Sequence, residues 1–490
     1  MLFNSMVFIF VFLPLVWTID RILLHLPDQS YAKIFLVAAS FVFYGYYNPK
    51  YMLLLGCSII INYLISLCFE KAQADCRIRK LILVVALTLN LVALFYFKYF
   101  NFFIDNCNVL LHTNIEIEKI ALPLGISFFT FQQISFVVDR YWKKAKHYAF
   151  WDYATFVSFF PQLVAGPIVL HADFIPQLQT RSKKIDSEKL FEGIALFILG
   201  LAKKVLLADT LARMVNPAFE DWIIRTYYID IPTGWMIAFF FMFELYFDFS
   251  GYSDMARGLG RMFGIELPIN FDSPLKSQSI SEFWNRWHMT LNQWLTQYIY
   301  IPLGGNRKGK IRTYINILTV FLVSGLWHGA NWTFVLWGLL QGIAVSVERI
   351  VKKRWPFKWM RILFTNIYVT LTVVIFKSES LSAAWLYLKR SFTIKPGVYF
   401  MRVGRNLEMA ETYLGSKLIQ MKCPKLLDSY YMLWMLFVAA ISIYFLSGPN
   451  ANERVSDGKW TTARIVRLGL LLVWIIISLS SVSTFLYFNF

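Results

Sequence analysis

Apolar residues in this chain gather into long blocks divided by short charged stretches. Blocks at 6–24, 33–47, 51–69, 81–97, 120–138, 191–208, 234–250, 313–328, 331–348, 362–376, 431–447 and 468–486 reach or approach the length a helix needs to cross a bilayer, about 20 residues. They predict an all-α polytopic membrane protein with about 11–13 transmembrane helices. Two more blocks are apolar but interrupted, 150–168 by Pro161, Gly166 and Pro167, and 291–303 at Pro302 and Gly304. These read as re-entrant or buried broken helices, tolerated in a membrane only where protein or water satisfies the backbone. Around 279–298 the pattern is amphipathic. Ser279 and Glu282 stand at the spacing of a capping box, and Phe283, Trp287, Leu291, Trp294 and Tyr298 fall on one helical face. That predicts one helix lying at the membrane interface, with His288 inside it.

Composition supports the membrane assignment. Hydrophobic residues make up 57% of the 490 and charged residues 16%, and the mean hydropathy is +0.51, far from the balance of soluble domains. The net charge of +18 lies in short clusters between apolar blocks, which points to topology rather than to nucleic acid. Positive loops at 71–80, 140–147, 181–190, 306–312 and 349–361 are expected on the cytoplasmic side, and the acid-leaning stretches 98–119 and 210–232 outside. The stretch 377–430 does not fit this scheme, because it carries nine Lys and Arg against four acids. The first block lacks a basic leader and a cleavage site and reads as a retained helix. The five cysteines form no CxxC and no zinc spacing with histidine, so neither a metal site nor a disulfide framework is expected.

Charge within apolar blocks is costly and marks structural knots or substrate paths. Glu244 and Asp248 are four residues apart and face the same way on a helix, so they repel unless one is protonated or a cation intervenes. Arg257 and Arg261 follow Asp254 at helix-face spacing. The segment 122–142 is polar for a lipid-facing helix, through Ser127, Thr130, Gln132, Gln133 and Ser135, and is expected in the interior. Of six histidines, His25, His112, His147 and His171 fall in loops or at their edges, where a solvated ring needs no explanation. His328 ends an apolar block in a Trp-His-Gly-Ala-Asn turn, and His288 stands among tryptophans. An imidazole there suits proton transfer from a hydroxyl, with a satisfied core histidine as the competing reading. No serine elbow, phosphate loop or dinucleotide fingerprint competes.

The runs LPLGISFFTFQQISFVVD, FFPQLVAGPIV, GLAKK, YFDFSGYSDMARGLGRMFGIELPINFDSP, FWNRWHMTLNQWLTQYIYIPLGGNR and LWHGANWTFVLWG, in that order, resemble the bacterial branch of the membrane-bound O-acyltransferases. That branch includes alginate and peptidoglycan O-acetylation proteins and teichoic-acid D-alanylation proteins. The likeness covers roughly residues 1–380; Lys377 stands where the family has an arginine. It implies a single integral-membrane domain over 1–490, with the motif-bearing core near 120–350 and peripheral helices at 1–119 and 351–490. The core helices would surround a central tunnel. It implies that His328 is the essential membrane-embedded histidine and that His288 is a second one, on the cytoplasmic side of a funnel meeting an opposite opening near His328. The implied activity is transfer of a short acyl group, acetyl foremost, from a cytoplasmic thioester toward hydroxyls of an extracytoplasmic polysaccharide. The donor would be acetyl-CoA or an acyl carrier protein acting as co-substrate, with no bound cofactor or metal. An SGNH-like acetyltransferase outside and a carrier protein inside would be partners, in the bacterial cytoplasmic membrane. D-alanyl transfer, a lipid or protein acceptor, and a flippase using the Glu244, Asp248 and Arg257 cluster are the alternatives.

Overall fold

A computed structural model of the chain describes all residues except 73–74, 119, 221–229, 352–355, 394–402, 457–459, 480–484 and 487–490. Among the described residues there is no strand, and each of the twelve apolar blocks contributes to a helix, the last of them as far as Ser478. Five helices are long and apolar enough to cross a membrane by themselves: Lys50–Lys71, Cys76–Leu111, Trp332–Val351, Lys358–Lys377 and Pro424–Ser447. The protein is thus an all-α, multi-pass membrane protein. Other blocks are shorter or more polar because they are enclosed. In Ile126–Tyr141 nearly every side chain is buried, its serines and glutamines included, as expected of a helix whose neighbours are protein rather than lipid.

The chain divides into two compact units, Met1–Phe197 with Met255–Ile269, and Ile198–Asp254 with Asn270–Phe490. The first is held by aromatic packing and by polar pairs with no access to water. Phe12 and Phe43 meet the ring of Phe160 at 5.4 and 5.5 Å, and Phe160 meets Phe263 at 5.7 Å. Asn62 and Asn90 exchange hydrogen bonds of 3.3 and 2.7 Å between Lys50–Lys71 and Cys76–Leu94. Arg181 grips the fully buried Asp20. Each pairing removes the cost of an unsatisfied polar group in an apolar medium.

Two expectations change in this unit. The stretch 98–119, read as an external loop, is mostly helix: Cys76–Leu94 continues through a π-helical turn at Phe95–Tyr99 into Phe100–Leu111 and ends on His112 in the left-handed conformation. The turn absorbs the extra residue that a continuous helical pattern cannot. His171, read as a solvated loop residue, is 2% exposed. Its Nε2 lies 3.1 Å from Asp139 Oδ2 and its Nδ1 3.1 Å from the Tyr148 hydroxyl, with the ring edge-on to Phe136.

The second unit is organised by the hairpin of Lys310–His328 and Trp332–Val351. These helices touch backbone to backbone at Gly325 and Gly338. A Cβ on Gly338 would lie 2.4 Å from the Phe321 carbonyl oxygen, and one on Gly325 2.3 Å from that of Phe334. Close approach through small residues is the usual way helices associate where apolar burial offers no gain over lipid. The basic stretch 377–430 is largely helical in its described parts, Leu381–Arg390 and Ala410–Lys422, while 394–402 lie outside the described residues.

The cation that Asp248 requires comes from the GLAKK run. Lys204 lies 2.7 Å from Asp248 and 2.8 Å from Asp209, and Lys203 lies 2.6 Å from Asp254. Lys377 donates to Asn216 at 2.9 Å and sits over the Phe241 ring. Of the arginines after Asp254, Arg257 donates to the Leu267 carbonyl and Arg261 bonds Glu192 and Glu266. Asp248 and Asp254 are thus each paired with a lysine, which is how buried charge persists.

Candidate functional site

His328 is the last residue of its helix, and the turn after it is held by Asn331. Asn331 Oδ1 accepts from the Thr333 N–H at 3.1 Å, and its Nδ2 donates to the Glu379 carbonyl at 2.9 Å. Asn331 therefore fixes the loop that carries His328 rather than touching its ring. With the hairpin closed, Trp337 returns beside His328, one ring edge-on to the other at 5.2 Å. Trp327 and Phe376 complete an aromatic cage around the imidazole at 5.0 and 5.3 Å.

His288 reaches the same place by another route. Ser279 caps a helix there, its hydroxyl accepting the Glu282 N–H at 3.1 Å. The single interfacial helix expected over 279–298 is not formed. Two seven-residue helices, Ile280–Arg286 and Met289–Leu295, are separated by a break in which His288 adopts φ 45° and ψ 50°. The segment's apolar face is buried in the protein, at Phe283, Trp287, Leu291 and Trp294, while Asn285 and Gln293 are exposed. The stretch 270–272 clamps the break, the Asp272 N–H bonding the Arg286 carbonyl and the Met289 N–H bonding the Asn270 carbonyl, both at 2.9 Å. A left-handed conformation costs a non-glycine residue about 1–3 kcal/mol and persists only where its surroundings impose it. Here it rotates the imidazole inward, against Phe249 at 4.8 Å and Trp327 at 5.7 Å.

The two imidazoles are 6.4 Å apart between centroids. That excludes a direct nitrogen–nitrogen hydrogen bond and leaves a span that one oxygen can bridge with two bonds of about 2.8 Å. A cavity of about 30 Å³ opens beside His328, walled by Phe249, Trp284, Trp287, Trp337, Val373 and Phe376 among others, with no Asp, Glu, Lys or Arg in its lining. Its one amide, Gln341, is engaged, accepting from Trp284 Nε1 at 3.3 Å and donating to Thr372 at 2.8 Å. Buried polar atoms without a hydrogen-bond partner here include the Nε2 of His288, the Nε1–H of Trp337 and the Nδ2 of Asn270. Orphaned polar atoms in a dry site carry a cost of about 1–3 kcal/mol each.

The site thus joins the two histidines singled out in the sequence, separated by 40 positions of chain. It also contains Trp337, Gln341, Phe376 and Asn270, which the sequence reading did not select. Trp337 has a periodic signal, nine residues after His328 on a return helix, but the aromatic content of this chain hides it. An imidazole in a dry, uncharged cavity suits proton transfer from a hydroxyl to a good leaving group. Among the described residues no cluster of three or more His, Cys, Asp or Glu is placed to hold a metal.

Comparison with known proteins names the family. Residues 41–382 match the model of MBOAT, the membrane-bound O-acyltransferase family. The chain is 35% identical to a peptidoglycan O-acetyltransferase of Helicobacter pylori, with 100% of this chain and 98% of that protein covered. It is 38% identical to a probable alginate O-acetylase of Pseudomonas aeruginosa over 80% of this chain and 75% of that one. To a teichoic acid D-alanyltransferase of Streptococcus thermophilus it is 28% identical, over 62% of this chain and 83% of the relative. The chain belongs to the membrane-bound O-acyltransferase family and is an acyltransferase.

Proposed function

We propose that this protein transfers an acetyl group from a cytoplasmic thioester toward a hydroxyl of an envelope polysaccharide, using His328 and His288. The observation that carries the reading is the uncharged, aromatic-walled cavity of about 30 Å³ beside His328. A site of that size and polarity accommodates a small neutral acyl group. D-alanyl carries an ammonium, which would need a carboxylate or a ring of acceptors to be buried there. The Helicobacter pylori relative, matched over 98% of its length, is a peptidoglycan O-acetyltransferase, which favours acetyl over D-alanyl and a glycan over a lipid acceptor.

In this mechanism the acceptor oxygen sits between the two rings. His328 takes the hydroxyl proton as the oxygen attacks the thioester carbonyl; the C–S bond breaks, the proton passes to the departing thiolate, and ester and thiol leave. The Nε2 of His288, a lone pair without a partner, is the alternative acceptor of that one proton and so assists its transfer. The Trp337 indole N–H, a donor without an acceptor, is available to the acyl carbonyl as charge develops on it. Acetyl-CoA or an acyl carrier protein would supply the thioester through a tunnel from the cytoplasmic side of the bacterial inner membrane. A periplasmic SGNH-type acetyltransferase would carry the group onward. The ion pairs of Lys203 and Lys204 leave the Glu244 region a scaffold in this scheme rather than a flippase path.

The test is replacement of His328 by Ala, with membrane abundance matched to wild type and the O-acetyl content of the envelope polysaccharide measured. Loss of acetylation is expected. Unchanged acetylation refutes the assignment.

A further inference from the structure

We infer that Asn270 is a positioning residue that fixes which nitrogen of His288 carries the proton, so that Nε2 is always the acceptor. The inference rests on the reading of His288 given above, and it begins from a donor whose identity is not open to choice. The backbone N–H of Thr290 points at the Asn270 side chain, 3.2 Å from Oδ1, and the Thr290 hydroxyl donates to the same atom at 2.9 Å. An amide flipped to present its NH₂ would set donor against donor at the Thr290 N–H. The oxygen is therefore the atom that faces Thr290.

That same oxygen lies 3.2 Å from His288 Nδ1. An oxygen acceptor there requires Nδ1 to hold the proton, which leaves Nε2 as a bare lone pair. The orientation is kept although Asn270 Nδ2 is buried with no acceptor. Leaving that donor unmet has a cost, which the three donors converging on Oδ1 outweigh. Asn270 also holds the left-handed break itself, since its carbonyl accepts the Met289 N–H. Backbone and side chain of one residue thus fix both the direction and the tautomer of the ring. Asn270 does not touch the cavity; it acts through His288.

Nitrogen-15 NMR of histidine-labelled protein in lipid nanodiscs, with the His288 signal assigned by its loss in His288→Asn, reads the tautomer without reference to activity. The wild type is expected to show protonated Nδ1 and bare Nε2. In Asn270→Ala the signal shifts toward the other tautomer, and kcat for acetyl transfer falls about 100-fold, the range of a mispositioned acid–base group, with the donor KM nearly unchanged. Asn270→Asp keeps an oxygen on all three donors and recovers much of kcat. Its carboxylate favours the imidazolium, so the acid limb of the kcat–pH profile moves to higher pH. A wild-type His288 protonated at Nε2 overturns the inference, as does an Asn270→Ala enzyme with unchanged tautomer and kcat. If Asn270→Ala does not accumulate, the wild-type spectrum and the Asn270→Asp profile still decide. If the wild type transfers no acetyl group, the functional reading fails while the tautomer measurement stands.

Discussion

Substituting Phe376 by Leu should widen the acyl preference of the enzyme. Phe376 is buried and packs edge-on against His328 at 5.3 Å and Trp337 at 5.2 Å, forming one wall of the cavity. The cavity measures about 30 Å³, against about 10–15 Å³ for a space that holds one water on the same measure. It therefore receives roughly two or three non-hydrogen atoms, an acetyl methyl and carbonyl. One further methylene must push a wall side chain aside, costing about 1–3 kcal/mol. At about 1.4 kcal/mol per factor of ten, wild type should prefer acetyl over propionyl by roughly 5- to 150-fold in kcat/KM, and butyryl should be poorer still. Phe376→Leu removes ring atoms where the extra carbon would lie, with the loss of stability that a large-to-small core change brings, and the ratio should fall to within a few fold. The assay is one-pot competition between acetyl, propionyl and butyryl thioesters, with ester products counted by mass spectrometry. Equal use of acetyl and propionyl by the wild type, or an unchanged ratio in Phe376→Leu, refutes the size argument.

Other substitutions test other parts of the account. Gly338→Ala places a methyl 2.4 Å from the Phe321 carbonyl, so it should lower the melting temperature in detergent and reduce acetyl transfer. Gly469→Ala, with nothing within 4 Å, should change neither. Lys204→Met strands Asp248 and Asp209 and should destabilise by about 3–5 kcal/mol, seen as loss of folded protein by fluorescence size-exclusion chromatography; Lys204→Met with Asp248→Leu should recover part of it. His288→Asn keeps a side chain that tolerates the left-handed conformation, so its melting temperature should match wild type while transfer falls.

How much of this was visible in the sequence follows from the range over which each feature is determined. The apolar blocks and the Ser279 cap are set by neighbours within one or two helical turns, and both were legible. The break at His288 was not, because Phe283, Trp287 and Leu291 continue the helical period straight through it, and nothing local marks a histidine for a left-handed conformation. It is imposed by residues 270–272. Long-range pairing hid other features for the same reason. Lys204 lies 44 positions from Asp248 and His171 lies 32 from Asp139, so the knot appeared as two repelling carboxylates and His171 as a loop residue. The pairing of His288 with His328 came from family resemblance, and the fold supplies the distance that composition could not.

The central claim is that His328 and His288 face one reacting oxygen beside the uncharged cavity that His328 lines. It is tested most directly by a structure of the full chain in nanodiscs with an unreactive acetyl ketone analogue of the thioester donor. The account predicts the acetyl methyl against Phe376 and the carbonyl carbon between the two imidazoles, with one water or acceptor oxygen in hydrogen-bond reach of both rings. An acetyl group bound away from His328, or a cavity in which the two rings share no ligand, would contradict it.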